Sequence, residues 1–229
     1  MSNAEEEQGI KLCFIGDSGV GKTCLIARFI RGSFDCNSPA TVGASFVSKT
    51  IEIPELKQSL TLDVWDTAGQ EKYKSLTRIF FQGAKMAILV YDITRRESFD
   101  NLKNSWYKEV KENGDSDIVL GIAGNKYDLF DDEDIPEEEA RDFAKSIDAV
   151  FGYTSAQNNS GIDELFEELG KKYLMSHSPK IESDVQNQIQ NPQQPESKQE
   201  KKESKQNIKI ASNDDAKKNA QKKKKKSFC

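Results

Sequence analysis

Gly16-Asp17-Ser18-Gly19-Val20-Gly21-Lys22-Thr23 follows an apolar run at residues 10–15 and precedes Cys24-Leu25-Ile26-Ala27-Arg28-Phe29-Ile30. The stretch reads G-x-x-x-x-G-K-[ST], a phosphate-cradling loop between a buried strand and a helix. Its glycines let backbone N–H groups turn inward around a phosphate, and the helix start adds the positive end of its dipole. Lys22 in such a loop reaches the β- and γ-phosphates, and the Thr23 hydroxyl ligates Mg²⁺. The eight residues and Cys24 are therefore candidate nucleotide contacts, and Lys22 is also a candidate catalytic group.

Outward from this loop the chain alternates strand-like and helix-like segments as far as residue 175. Residues 44–53 and 59–65 flank Pro54-Glu55, which predicts an antiparallel hairpin. Leu60, Leu62 and Val64 alternate with Thr61, Asp63 and Trp65, the pattern of a half-covered strand. The runs 86–91 and 118–123 are apolar throughout, as strands covered on both faces are. Residues 97–113 predict one helix ending near Gly114. Another begins near Pro136, where Pro suits a first turn and Glu137, Glu138 and Glu139 suit the dipole. A short strand at 150–153 and a closing helix at 161–174 complete an α/β pattern of βαβ type with one antiparallel strand.

Asn125-Lys126-Tyr127-Asp128 follows the buried strand 118–123, at the sheet edge where ligands of open α/β sheets collect. A carboxylate at Asp128 accepts from both N1–H and the 2-amino group of guanine. Adenine offers neither donor there, so the carboxylate would be left unpaired, and such mismatches discriminate strongly. Asn125 and Lys126 are expected to tie this loop to the phosphate loop and flank the base. Thr154-Ser155-Ala156-Gln157 follows the last strand, and a backbone N–H among Ser155, Ala156 and Gln157 is expected to meet the guanine O6. Asp66-Thr67-Ala68-Gly69-Gln70-Glu71 follows the strand ending at Trp65. Asp66 is a candidate Mg²⁺ holder through water, and the Gly69 N–H a candidate γ-phosphate contact. Gln70 is the candidate for orienting the attacking water. In the segment 34–41, Phe34 is expected edge-on over the base and Thr41 on Mg²⁺ and the γ-phosphate.

GDSGVGKT, TVGASF, WDTAGQEKYKSL, NKYD and TSA, in this order and spacing, resemble a Ras-like small GTPase. Val42-Gly43-Ala44-Ser45-Phe46, Lys72-Tyr73-Lys74-Ser75-Leu76, Phe80-Phe81-Gln82-Gly83-Ala84 and Tyr91-Asp92-Ile93-Thr94 are similar to the Rab branch, and TVGASF to its early-endocytic members. The resemblance covers about residues 10–175. It implies a P-loop NTPase fold with a mainly parallel six-stranded sheet, one antiparallel edge strand and helices on both faces. It also implies a GDP/GTP switch that hydrolyses GTP with Mg²⁺ and recruits effectors in vesicle traffic. An exchange factor, a GAP and prenylation and membrane-extraction factors would serve it. Phe46, Trp65 and Phe80 would form an aromatic cluster read by partners. Pro39-Ala40, Gln157 in place of the usual Lys, and Phe80 in place of the usual Tyr depart from the family pattern. A non-cycling GTP-binding scaffold is the rival reading.

The chain has 33 Lys plus Arg against 38 Asp plus Glu. From Ser176 onward there are 13 lysines and 7 acids, so this stretch carries +6 and residues 1–175 carry −11. That division predicts a flexible N-terminus at 1–9, an acidic folded body at 10–175 and a disordered basic tail at 176–229. His177 is expected to be a solvated residue of that tail. The four cysteines lack metal-type spacing, and Cys13 and Cys24 are expected to pack in the core. The polar, acidic stretch 1–8 is not expected to act as a secretory signal, and no apolar run in the sequence approaches about 20 residues. By the resemblance, Cys229 is a lipidation candidate. Lysines 222–226 would attract an anionic membrane surface, rather than nucleic acid or nuclear import machinery. A monomer is expected, cycling between cytosol and the cytoplasmic face of an intracellular membrane, with an endosome suggested by TVGASF.

Overall fold

The computed structural model describes residues 9–35, 41, 44–67 and 82–177. Six strands, β1 (Ile10–Ile15), β2 (Ala44–Ile53), β3 (Gln58–Thr67), β4 (Met86–Asp92), β5 (Val119–Asn125) and β6 (Val150–Thr154), lie in the order β2-β3-β1-β4-β5-β6. All neighbours pair in parallel except β2 with β3, which are antiparallel with Phe46 opposite Trp65. The sheet is thus the expected one: mainly parallel, with one antiparallel strand at its edge.

Alternation along the strands sends side chains to two cores. Leu12 and Phe14 of β1 join Leu62, Val64, Ile88 and Val90 beneath helix α1 (Lys22–Arg31) and the closing helix, Ile162–His177. Cys13 and Ile15 join Leu89, Tyr91, Phe99, Trp106 and Ile122 on the opposite face. Burial pushes the Cys13 thiol up to about 12, against slight opposition from Lys11, so it stays protonated and behaves as a packing residue. Leu60, Leu62 and Val64 are buried while Thr61, Asp63 and Trp65 are half-buried, as the alternation predicts. Covered helices on both faces force the parallel strands to be apolar throughout.

Two features differ from the sequence expectation. Residues 97–113 do not form one regular α-helix. An α-helical turn at Arg96–Asn101 passes into a π-turn at Leu102–Trp106 and returns to α-helix at Tyr107–Asn113. The closing helix runs through Ser176 and His177, past the expected start of the tail at 176. His177 is not a solvated linker residue. It stacks on Tyr173 at 4.4 Å, and its Nε2 lies 3.1 Å from an Asp117 oxygen. The helix expected near Pro136 forms at Glu137–Ser146 with Pro136 capping it.

Candidate nucleotide site

The carboxyl ends of β1, β3, β4, β5 and β6 share one sheet edge, and every described site residue except Phe34 and Thr41 lies on them or just beyond. The loop after β1 wraps this edge because two glycines let it. Gly16 has φ 146°, and a Cβ there would sit 2.2 Å from the Val90 carbonyl oxygen. Gly21 caps α1 at φ 96°, and a Cβ would sit 2.4 Å from Asn125 Nδ2. The second contact matters beyond space. Asn125 Nδ2 donates to the Val20 carbonyl at 2.7 Å, so the loop after β5 is pinned to the phosphate loop at that point.

Asn125 is buried and bonded through both its amide nitrogen and its amide oxygen. Its Oδ1 accepts from the Thr154 hydroxyl at 3.2 Å, and its carbonyl accepts from the Ile93 N–H at 3.1 Å. Lys126 next to it holds φ 66° and pairs with the buried Asp92 at 2.6 Å. Burial alone would raise the Asp92 carboxyl. Bonds from Lys126 and Thr94 outweigh it and hold the group below the usual carboxylate range. Asp128 accepts from the Ser155 hydroxyl at 2.5 Å, which joins the loops after β5 and β6. Ser155 and Ser160 exchange backbone bonds that close the second loop. Arg28 of α1 donates to the carbonyls of Ala156 and Gln157 at 2.6 and 3.1 Å. Phe34 is half-buried just past α1, with its ring 6.0 Å from the Arg28 guanidinium. Asn125, Lys126, Asp128, Ser155, Ala156 and Gln157 therefore form one bonded pair of loops.

At the other end of the site, Thr23, Thr41 and Asp66 meet. Thr23 Oγ1 donates to Asp66 Oδ2 at 2.8 Å and lies 2.6 Å from Thr41 Oγ1. Thr41 Oγ1 is 3.4 Å from the same carboxylate oxygen. Asp66 Oδ1 is buried and has no hydrogen-bond partner among the described residues. Burial raises the Asp66 carboxyl pKa, opposed by Thr23, Lys22 and Thr41. A buried carboxylate oxygen without a partner costs free energy unless something meets it. One carboxylate and two hydroxyls are hard oxygen donors, the set that suits Mg²⁺ with phosphate oxygens and water completing its shell.

Lys22 lies beside them, buried, with Nζ donating to the carbonyls of Gly16 and Asp17 at 2.7 and 2.8 Å. Burial lowers its pKa to about 8, against the opposing pull of Asp66 and Asp17. Two of its three donors are spent on the loop. Cys24 sits in the first turn of α1, half-buried against the core. Asp17, Ser18 and Gly19 form the loop's outer bend. Gly69, Gln70, Phe80 and Cys229, and the departures at Pro39-Ala40, lie outside the described residues. Phe46 stacks on Trp65 at 5.2 Å and is 60% exposed.

Sequence reasoning missed Arg28 and Asp92. Only a helix-facing spacing could have hinted at Arg28; Asp92 meets Lys126 from across the chain, with no local pattern to mark the pair.

The sequence model of the Ras family matches residues 11–175. Human Ras-related protein Rab-22A is 46% identical over 164 residues, covering 71% of this chain and 82% of the relative. Mouse Ras-related protein Rab-31 is 44% identical with the same coverage. Ras-related protein RABA4b of Arabidopsis thaliana is 41% identical over 159 residues, covering 69% of this chain and 70% of its own.

Proposed function

Because the chain belongs to the Ras family, within its Rab branch, we propose that the bonded loops and the oxygen cluster are the two ends of one guanine-nucleotide site. The protein is a Rab-like small GTPase of vesicle traffic, and its reaction is hydrolysis of GTP to GDP and phosphate. On this reading Asp128 takes the N1–H and 2-amino group of the base. Asn125 and Lys126 fix that loop, while Ser155, Ala156, Gln157 and Phe34 enclose the base. Lys22 and the backbone N–H groups of the phosphate loop bind the β- and γ-phosphates and spread negative charge as it develops. Gly69 contacts the γ-phosphate and Gln70 orients the attacking water.

Thr23, Thr41 and Asp66 would hold Mg²⁺. That ion supplies charge neutralisation on the phosphates. The supporting observation is the convergence of the Thr23 and Thr41 hydroxyls on Asp66 Oδ2, beside a buried Asp66 Oδ1 that has no partner among the described residues. Thr41 precedes β2, so its place in this cluster couples the segment before β2 to whatever phosphate the site holds. Such coupling is how a γ-phosphate orders a switch segment.

Rab proteins act through effectors, exchange factors and GTPase-activating proteins. We place effector contact at Phe46 and Trp65, with Phe80. We assign prenylation to Cys229, attraction to an anionic leaflet to lysines 222–226, and an endosomal address to the stretch TVGASF, which resembles early-endocytic Rabs. The protein works as a monomer that membrane-extraction factors return to the cytosol.

Release of fluorescent GDP from the full chain tests the site, with GTP or ATP as competitor and with or without EDTA. GTP should compete, ATP should not, and EDTA should speed release. Equal competition by ATP overturns the guanine assignment, and indifference to EDTA overturns the metal assignment.

A further inference from the structure

The Asp17 side chain does not turn into the phosphate cradle. Its two oxygens accept from one helix: Oδ2 from Asn101 Nδ2 at 2.9 Å and Oδ1 from Trp106 Nε1 at 2.7 Å. Asn101 and Trp106 are five residues apart. On a regular α-helix such residues sit about 140° apart around the axis, facing different ways. Here the helix carries its π-turn at Leu102–Trp106, and the Tyr107 N–H reaches back to the Leu102 carbonyl, five residues earlier. That winding brings positions five apart onto one face. The π-turn is thus what lets a single carboxylate take both donors.

The grip extends to the catalytic lysine. The Asp17 carbonyl accepts from Lys22 Nζ at 2.8 Å, so a fixed Asp17 fixes one of the two lysine contacts. Arg95, just before the helix, donates to the Ser18 carbonyl at 3.0 Å. Trp106 is itself anchored, buried among Phe99, Leu102 and Val110 beneath the sheet. The outer bend of the phosphate loop is therefore held from outside by a helix that does not belong to the nucleotide motifs.

We propose that Asn101 and Trp106 are positioning residues for nucleotide retention, acting through the Asp17 carboxylate by virtue of the π-turn. This rests on the nucleotide site proposed above. The hydrogen bonds to an ionised acceptor are the strong kind, and they hold the loop in its phosphate-ready shape before any nucleotide arrives. Losing them should leave base choice intact, because Asp128 and its partners are untouched. It should speed the release of GDP and GTP alike, because the loop serves both.

The test is stopped-flow release of fluorescent GDP and GTP from wild type, Asn101→Ala, Trp106→Phe, Asp17→Ala and the Asp17→Ala/Trp106→Phe double variant, with melting temperatures measured alongside. Asn101 is half-buried, so its truncation leaves the core intact. Each single variant should release both nucleotides faster, by about fivefold or more. The double variant should be no faster than the worse single one, since both remove the same contact. Preference for GTP over XTP should stay as in wild type. Release rates equal to wild type in Asn101→Ala and in the folded Trp106→Phe variant overturn the proposal, as do additive effects in the double variant. Wild type that retains no guanine nucleotide would instead overturn the site assignment itself.

Discussion

Ser155 Oγ donates to Asp128 Oδ1 at 2.5 Å, joining residues 27 apart in the chain and setting the plane of the carboxylate. An ionised carboxylate has about four acceptor sites, so this bond leaves room for two base donors. Asp128→Asn replaces an acceptor with an amide donor that faces N1–H. GTP binding should weaken by about 2–3 kcal/mol, the cost of a buried unmatched polar group. XTP, whose 2-oxo group accepts, should bind better than it does to wild type. Competitive displacement of labelled GDP measures both. A variant that still prefers GTP over XTP removes Asp128 from base selection.

The oxygen cluster gives a metal prediction with a pH sign. Asp66 must be ionised to hold a cation, and burial raises its pKa. Mg²⁺ affinity should therefore fall on acidification sooner than an ordinary Asp would allow. Asp66→Asn should remove that pH dependence along with most of the affinity. Thr23→Asn should impair Mg²⁺ retention and leave the protein in its GDP-bound or empty form. Magnesium titrations monitored by GDP release, run at several pH values, check all three.

Lys22 gives the opposite sign. Its pKa in the fold, about 8, lies below the ordinary 10.5 because of burial. Between those values the unfolded chain holds the proton more tightly than the fold does. Raising the pH through that window thus favours the nucleotide-free fold as far as Lys22 is concerned. Phosphate binding needs the ammonium, so GDP affinity should decline as pH rises above about 8, by up to tenfold per unit. Binding isotherms from pH 7 to 9 test this; a flat profile would mean that Lys22 is not the phosphate ligand.

The sheet was legible where burial is purely apolar. Residues 86–91 read as a strand and form one, but the strand continues to Asp92, as β5 continues to Asn125 and β6 to Thr154. Those ends are polar and buried, and each is satisfied by a residue far along the chain: Asp92 by Lys126, Asn125 by Val20 and Thr154. Hydropathy cannot see such partners. The π-turn was equally hidden, since apolar spacing in 97–113 is compatible with a plain helix. Within the site, the motifs named the residues that the fold brings together at Thr23, Thr41 and Asp66. Arg28 and Trp106 escaped because their roles depend on tertiary contact, with no local signature to read.

Membrane attachment should depend on two signals in the region beyond residue 177, which lies outside the described residues. On the proposed prenylation of Cys229, Cys229→Ser should abolish attachment, because one lipid chain would be the primary anchor and basic charge the second signal. Changing lysines 222–226 to Gln should weaken binding to anionic vesicles, by about 1 kcal/mol per lysine at most, and make what remains less salt-sensitive. Vesicle sedimentation with protein from a eukaryotic host measures both. Mass spectrometry showing an unmodified Cys229 in the membrane-bound fraction would remove the lipid.

The central claim is a slow GTP hydrolysis timed by residues of this chain and awaiting help from a GTPase-activating protein. Single-turnover hydrolysis of pre-bound GTP, compared between wild type and Gln70→Leu, tests it most directly. On the proposed role of Gln70 in orienting the attacking water, its contribution arises in the transition state, so the variant should bind GTP as tightly as wild type and hydrolyse it much more slowly. Equal hydrolysis rates in the two proteins would contradict the account.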